Sequence, residues 1–491
     1  MRILLVQHNG SLNKVDPYTR ASSLESLALG YLAAAVESHG HVAWIDGCIN
    51  KDRFITILRE FRPDIIGFSV YSYALENSLE LACIAKSSVY NGSKRPITIF
   101  GGCHPTACPE DTASEKCVDF VVIGEGEETL CELLSVIEMG GNYETIAGIA
   151  FKQEDGVMVT TARERIASLD DWPFPKRERS ILDQCRQYQI SYPPPSQQKS
   201  VAQVLFSRGC PFSCFYCSSE ISWKKQIIWR DPKRVCDELE ELIQNYGTNL
   251  AYFPDLTLNA DKGKLIEFCH AISARHLPLH WWGYFRLDLL DEEILDALVE
   301  AKCIKLGIGV ESPIESCVKK IKDRLNMGKE RKKYILKYAN EIGLLLRAFL
   351  MIGLPGDTEE SLRTYPQEMI EYGFDEIRVC FATPFPGTRF FNEAKQSGLL
   401  PDKIEWSSMT TEVPFLQNPT LTKQQILTLQ KEVILQFYSS RRYLEHVVDK
   451  TTRFPILKQP WVEFLEFMNS NGVFHNENPM FTALMESLRK R

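Results

Sequence analysis

No run of about 18 consecutive apolar residues occurs in the 491-residue chain, so no membrane-spanning helix is expected. The apolar run in the opening "MRILLVQHNG" is too short for a signal peptide and reads as a first buried strand. Positive charge is in deficit: 56 Lys and Arg against 64 Asp and Glu leave a net charge of −8. That balance gives no electrostatic footprint for nucleic acid. The densest basic stretch, Glu315 to Tyr334, is interrupted by acids and reads as a solvated helical face. Repeats, low-complexity tracts and heptads are also missing. Without an export signal the chain is expected to be cytoplasmic, where thiols stay reduced. Of 15 cysteines, twelve are scattered singly, among them Cys83, Cys131, Cys236, Cys269 and Cys317, and read as small buried hydrophobes.

What is present is alternation. Short apolar strands and amphipathic helices follow one another over the first 140 or so residues, which implies a doubly wound parallel sheet. Ligands of such sheets sit beyond the carboxyl ends of the strands. "IAFKQEDGVMVTT" then alternates about an Asp-Gly turn, a hairpin signal. "LDDWPFPKRE" and "YPPPSQQKS" supply a Pro-rich connector. From Val201 six more strands are expected, near 201–207, 250–253, 279–284, 304–309, 344–352 and 376–382, too few to close an eightfold barrel. "TKQQILTLQKEVILQFYSSRRYLEHVV" reads as one long amphipathic helix, and the tail after Lys450 as a small appendage. The expected class is therefore α/β: a Rossmann-like sheet domain over 1–145, a hairpin and linker over 146–198, a partial (β/α)6 barrel over 199–400, and a mostly helical region over 401–491.

The chemistry is concentrated in "SRGCPFSCFYCSSE". Cys210, Cys214 and Cys217 form a Cys-x3-Cys-x2-Cys cluster directly after a strand. Three thiolates are one short of a closed structural zinc site. They can hold three corners of a [4Fe–4S] cube and leave the fourth iron without a protein ligand. A zinc site completed by a distant His, or three unrelated thiols, are the alternatives. The motif "RGCPFSCFYC", with Tyr216 before its third Cys, closely resembles the radical S-adenosylmethionine (SAM) superfamily. The resemblance implies that the cluster's open iron chelates SAM and that reductive cleavage yields a 5′-deoxyadenosyl radical.

Further stretches fit that resemblance at the expected strand ends. "YFPDLTLN" places Asp255 as a contact to the SAM amino group, and "YFRLDLL" places Arg286 as a bidentate partner of its carboxylate. In "KLGIGVES", Gly307 and Gly309 permit close approach of the cofactor, and Glu311 accepts from ribose hydroxyls. Trp223, Trp229, Trp281 and Tyr284 lie near strand ends or loops without an assigned role.

The first domain resembles the cobalamin-binding domain attached to one branch of the superfamily, on "SLALGYLAAAVESHGH", "PDIIGFSVYSYALENSLELA", "IFGGCHPTACPED" and "VVIGEGEETL". The cobalamin contacts implied are Ser69, Tyr71, Gly101, Gly102, His104, Glu125 and Gly126. The Asp-x-His-x-x-Gly signature, whose His ligates cobalt, is absent. The resemblance implies a cobalamin-dependent C-methyltransferase acting on an unactivated carbon of a small natural-product-type molecule. It implies a flavodoxin- or ferredoxin-type reductant; from the charge balance and the lack of a long apolar run, neither nucleic acid nor membrane is expected as a partner. A non-methylating dehydratase, epimerase or cyclase of the same architecture is the alternative, and an iron–sulfur protein without turnover is a third.

Overall fold

The computed structural model describes residues 1–8, 25–47, 49–88, 95–183, 185–323, 327–472 and 479–489. Seven strands form the first sheet: β1 (Arg2–Gln7), β2 (Val42–Asp46), β3 (Ile65–Ser69), β4 (Ile97–Gly101), β5 (Phe120–Val122), β6 (Ile149–Gln153) and β7 (Gly156–Val159), in the order β2-β1-β3-β4-β5-β6-β7. β1 to β5 are parallel. Strands buried on both faces read as continuous apolar runs, as "RILLVQ" and "DIIGFS" do. The helix Leu27–Ser38 lies over one face with Leu29, Ala33 and Val36 in the core. Phe54 and Leu81, from the helices Lys51–Phe61 and Leu75–Ser87, fill the other. Strand order reverses at β1, so the sheet's topological switch point lies between β1 and β3.

The predicted hairpin forms, but it belongs to this sheet. β6 pairs antiparallel with β5, Phe151 opposite Phe120. The sheet domain therefore runs beyond residue 145, because an unpaired β5 edge is covered by the next available strands.

The second sheet has the six expected strands, all parallel: β8 (Val201–Gln203), β11 (Leu250–Phe253), β12 (His280–Phe285), β13 (Cys303–Glu311), β14 (Leu345–Ile352) and β15 (Glu376–Phe381). β8 and β15 are its edges, so the barrel is partial. A small antiparallel pair, β9 (Ser207–Gly209) with β10 (Ile227–Trp229), follows β8.

The Pro-rich connector is not a free linker. The Gln187 side chain accepts from Trp282 Nε1 at 2.8 Å, and Gln189 Oε1 accepts from the buried Lys305 Nζ at 2.8 Å. Both partners lie early in their strands, so this segment plugs the amino-terminal mouth of the barrel.

Three other expectations are corrected. The long helix after 422 is two helices, Lys423–Tyr438 and Arg441–Arg453, with Ser440 capping the second by accepting from Tyr443 N at 3.1 Å. The tail after Lys450 is not an appendage: Trp461, Phe464 and Leu465 are buried in the core shared with the barrel. Cys83 is not a lone thiol; it is disulfide-bonded to Cys117. Cys131, Cys236 and Cys269 are free and buried as expected, and Cys317 is free and half-buried. No helix among the described residues is long and apolar enough to cross a membrane.

Candidate active site

The cysteine loop leaves β9 and is held from two sides. Phe215 N donates to Ile321 O at 2.8 Å, and Ser213 N donates to Asp323 Oδ2 at 3.0 Å. Phe390 N donates to Phe215 O at 3.2 Å, and the two rings pack at 5.0 Å. Cys210 is buried; Cys214 and Cys217 are half-buried. Each thiol has a polar neighbour: Thr257 Oγ1 is 3.7 Å from Cys210 Sγ, Arg286 Nη1 is 3.9 Å from Cys214 Sγ, and Ser219 Oγ is 3.2 Å from Cys217 Sγ. Burial pushes the Cys214 and Cys217 thiols up. Among the described residues no three His, Cys, Asp or Glu side chains converge on a single-ion site. Three separate soft ligands on one anchored loop fit the corners of a cluster.

The structure brings together the expected residues of the strand ends, with altered partners. Glu311 ends β13 with a left-handed backbone, φ +63°, where the register against β14 slips. Its carboxylate accepts from Tyr216 OH at 2.7 Å and lies 3.6 Å from Lys322 Nζ. Burial and then the Glu311 charge hold the Tyr216 phenol well above its ordinary value. Tyr216 and Glu311 are 95 residues apart in sequence. A Cβ at Gly309 would stand 2.6 Å from Glu311 Oε1, and one at Gly307 would stand 2.7 Å from the Tyr284 ring. Both glycines therefore make room for neighbouring side chains of this same site.

Arg286 is buried, and its bidentate partner is Asp288, at 3.1 and 2.9 Å; it also donates to Asp323 O at 2.9 Å. Its remaining nitrogen faces Cys214. Asp255 is 1% exposed and accepts from Phe206 N at 3.2 Å, from Ser207 N, and from Ser207 Oγ at 2.6 Å. Burial pushes its carboxyl up to about 6 against those hydrogen bonds. It fastens the strand that leads into Cys210. Lys322 and Asp323 were missed, because their segment reads as a solvated basic face; the two residues after the helix Glu315–Ile321 turn inward instead.

A cavity of about 320 Å³ lies between the two domains. Ser69, Tyr71, Gly101, Gly102, Glu125 and Gly126 line it from the sheet, and Ser207, Arg208, Gly209 and Trp223 line it from the barrel. Gly102 has φ +98°, and a Cβ there would stand 2.9 Å from Val70 N, so this loop requires glycine. Glu125 is engaged by Arg165 at 3.1 Å and Arg208 at 3.2 Å; Glu127 takes Arg208 at 2.7 Å. His104 does not line the cavity. It is buried, with Nδ1 3.0 Å from Ser72 Oγ and its ring against Trp406 at 4.8 Å, and burial lowers its pKa to about 4. Arg208 and Trp223 were not foreseen as lining residues, although Arg208 stands two residues before Cys210 in the motif.

Residues 18–134 match the B12 binding domain family, and residues 204–365 match the radical SAM superfamily. An uncharacterized methyltransferase of Pyrococcus horikoshii is 29% identical over 84% of this chain and 87% of its own length. The anaerobic magnesium-protoporphyrin IX monomethyl ester cyclase of Rubrivivax gelatinosus is 26% identical over 86% of this chain and 75% of its own. The radical SAM methyltransferase TsrM of Kitasatospora setae, solved with cobalamin and a [4Fe–4S] cluster, shares the fold with a TM-score of 0.71, 16% identity and coverage of 96% of this chain and 99% of that one. With its cysteine loop at the head of a partial barrel and a matched corrinoid-type sheet before it, the chain belongs to the radical SAM superfamily, in the branch that carries an N-terminal B12-binding domain.

Proposed function

We propose that this enzyme is a cobalamin-dependent C-methyltransferase acting on an unactivated carbon of a small natural-product-type molecule. The observation that carries the reading is the shared cavity: one space is bounded by the sheet's Gly-rich loops and by the strand that runs into Cys210. Its lining includes the apolar Leu5, Leu29, Phe68, Ile99 and Leu130 and the polar Ser69 and Thr106. Apolar walls with glycine backbone and a few polar side chains suit one face of a flat corrin ring, which would extend beyond the cavity. When bound, the cluster with SAM supplies a hydrogen-abstracting 5′-deoxyadenosyl radical, and cobalamin supplies the methyl group.

The chain's own residues bind, orient and exclude water. Cys210, Cys214 and Cys217 hold three corners of the cluster. Tyr216 and Lys322 fix the Glu311 carboxylate from two sides, so that it is preorganised for ribose hydroxyls. Arg286, locked by Asp288, presents its free edge beside Cys214, where the carboxylate end of SAM is expected. Asp255 acts by positioning β9. The reductant is a flavodoxin- or ferredoxin-type protein, and the cytoplasm, which holds such carriers, is the place of action.

A second reading has a specific observation in its favour, the comparable similarity to the cyclase. Anaerobic purification with cobalamin supplied, followed by a spectrum and product analysis, separates the two. Methyl transfer gives a corrin band and S-adenosylhomocysteine together with 5′-deoxyadenosine. Iron–sulfur absorption without a corrin band, with 5′-deoxyadenosine alone, would remove the methyltransferase reading and leave the barrel chemistry standing.

A further inference from the structure

The chain's net charge is −8, yet between Lys319 and Lys333 eight Lys and Arg stand against two acids. The structure divides this segment between the last turn of the helix Glu315–Ile321 and the first turn of the helix Lys329–Glu341. Lys319 and Lys320 are exposed, and Lys332 and Lys333 are half-buried. The turn that carries Lys332 lies beside the end of the first helix: burial lowers the Lys332 ammonium, and the charges of Glu315, which raises it, Lys322, which lowers it, Asp288, which raises it, and Lys319, which lowers it, all reach it. Lys319 is paired with Glu315 at 2.7 Å in an exposed i,i+4 bridge, which water screens heavily. Lys320 and Lys333 have no ion-pair partner among the described residues.

This surface is joined to the cysteine loop through the backbone. Ile321, next to Lys320, accepts from Phe215 N at 2.8 Å, and Phe215 lies between Cys214 and Cys217. Asp323 accepts from Ser213 N at 3.0 Å. Arg389, also exposed, donates to Ser213 O and extends the positive rim along the same loop. No other basic concentration of this density occurs in the sequence, and this one lies against the loop that must receive an electron.

We propose that this basic surface docks the acidic one-electron carrier, a flavodoxin- or ferredoxin-type protein, that reduces the cluster. The inference rests on the radical SAM reading and adds the place and the chemistry of the contact. The step is a bare transfer: the carrier is oxidised by one electron and the cluster is reduced by one, with no bond made or broken at the interface. Lys319, Lys320, Lys332 and Lys333 steer a carrier of opposite charge and orient it over the loop. The patch is two helical turns wide, suited to a small, transient interface. Nucleic acid is the less favoured occupant, because the acidic remainder of the chain would repel a polyanion long enough to leave the patch.

The test uses the full reconstituted chain and the triple variant Lys319→Glu, Lys320→Glu, Lys333→Glu, with 5′-deoxyadenosine formation as readout. One arm is driven by dithionite, the other by a flavodoxin with its NADPH-dependent reductase. With dithionite the variant stays within about twofold of wild type, which also shows that it is folded and loaded. With flavodoxin at low salt it falls by about tenfold or more. The wild-type flavodoxin rate declines as salt rises, whereas the variant's changes little. A glutamine version of the same three positions falls by an intermediate factor. Equal flavodoxin-driven rates for wild type and variant would overturn the proposal. So would tRNA binding that is lost in the variant while its flavodoxin-driven rate is kept. Absence of cleavage by wild type with dithionite would instead sink the radical SAM reading, and the docking proposal with it.

Discussion

At the scale of single residues, the site depends on a few positions where one atom decides the outcome. Cys214 is one of three thiols on an anchored loop, and the loop is held by backbone contacts at Ser213 and Phe215 rather than by the thiol. Cys214→Ala is therefore expected to abolish 5′-deoxyadenosine formation and to lower bound iron, while circular dichroism and melting temperature stay near wild type. Deoxyadenosine production by that variant would contradict the assignment. Gly102 is the matching case on the sheet side. An added methyl meets Val70 N at 2.9 Å in a left-handed backbone. Gly102→Ala should cost about 1–3 kcal/mol through strain. It should also weaken cobalamin retention, read as the corrin absorbance remaining after gel filtration, because the loop it distorts lines the cavity.

At the scale of elements, one carboxylate ties the C-terminal helices to the barrel. Asp375, just ahead of β15, is 1% exposed and takes Lys450 Nζ at 2.5 Å, His446 Nε2 at 2.7 Å and Leu346 N at 2.7 Å. Burial pushes its carboxyl up, but Lys450 and His446 outweigh burial and hold it below its ordinary value. A lowered folded pKa means that its stabilisation is complete above the unfolded value of about 3.9 and is lost as pH falls through the folded value. Asp375→Asn should thus unfold at lower temperature at neutral pH, by about 3–5 kcal/mol for a broken buried pair. Its melting temperature should also depend less on pH below about 4 than that of wild type. A parallel loss in both proteins would show that other groups carry the acid sensitivity.

The same elements show what the sequence made legible. The eleven parallel strands were readable because buried parallel strands are local apolar runs, and the cysteine motif because its ligands lie within eight positions. The break at Ser439 and Ser440 was not, since the amphipathic period continues through it. The partners of Asp375 and Glu311 were not, since Lys450 and Tyr216 lie 75 and 95 residues away and only the folded chain sets them side by side. Lys322 was hidden for a related reason: a lysine among lysines carries no sign that it alone turns inward.

At the scale of the whole molecule, the two domains are coupled by charge at the cavity. Arg208 lies at the head of the cysteine loop, 8% exposed, and pairs with Glu125 and Glu127 of the sheet domain at 3.2 and 2.7 Å. Its carbonyl accepts from Arg165 at 3.2 Å, and its guanidinium lies over the Tyr31 ring at 5.2 Å. Burial alone would lower the Arg208 guanidinium's pKa, but the Glu127 and Glu125 charges raise it overall, so the side chain stays charged in the interface. Arg208→Met leaves Glu125 with Arg165 but deprives Glu127 of its cation, a loss of about 3–5 kcal/mol placed at the domain junction. The expected result in calorimetry is that one cooperative transition becomes two, with the sheet domain melting first and corrin retention falling with it. Adding Glu127→Gln should restore part of the coupling, because the uncompensated charge is removed. An Arg208→Met protein that still melts in one transition, with its corrinoid retained, would mean that apolar packing around the cavity joins the domains and that the ion pairs are incidental to it.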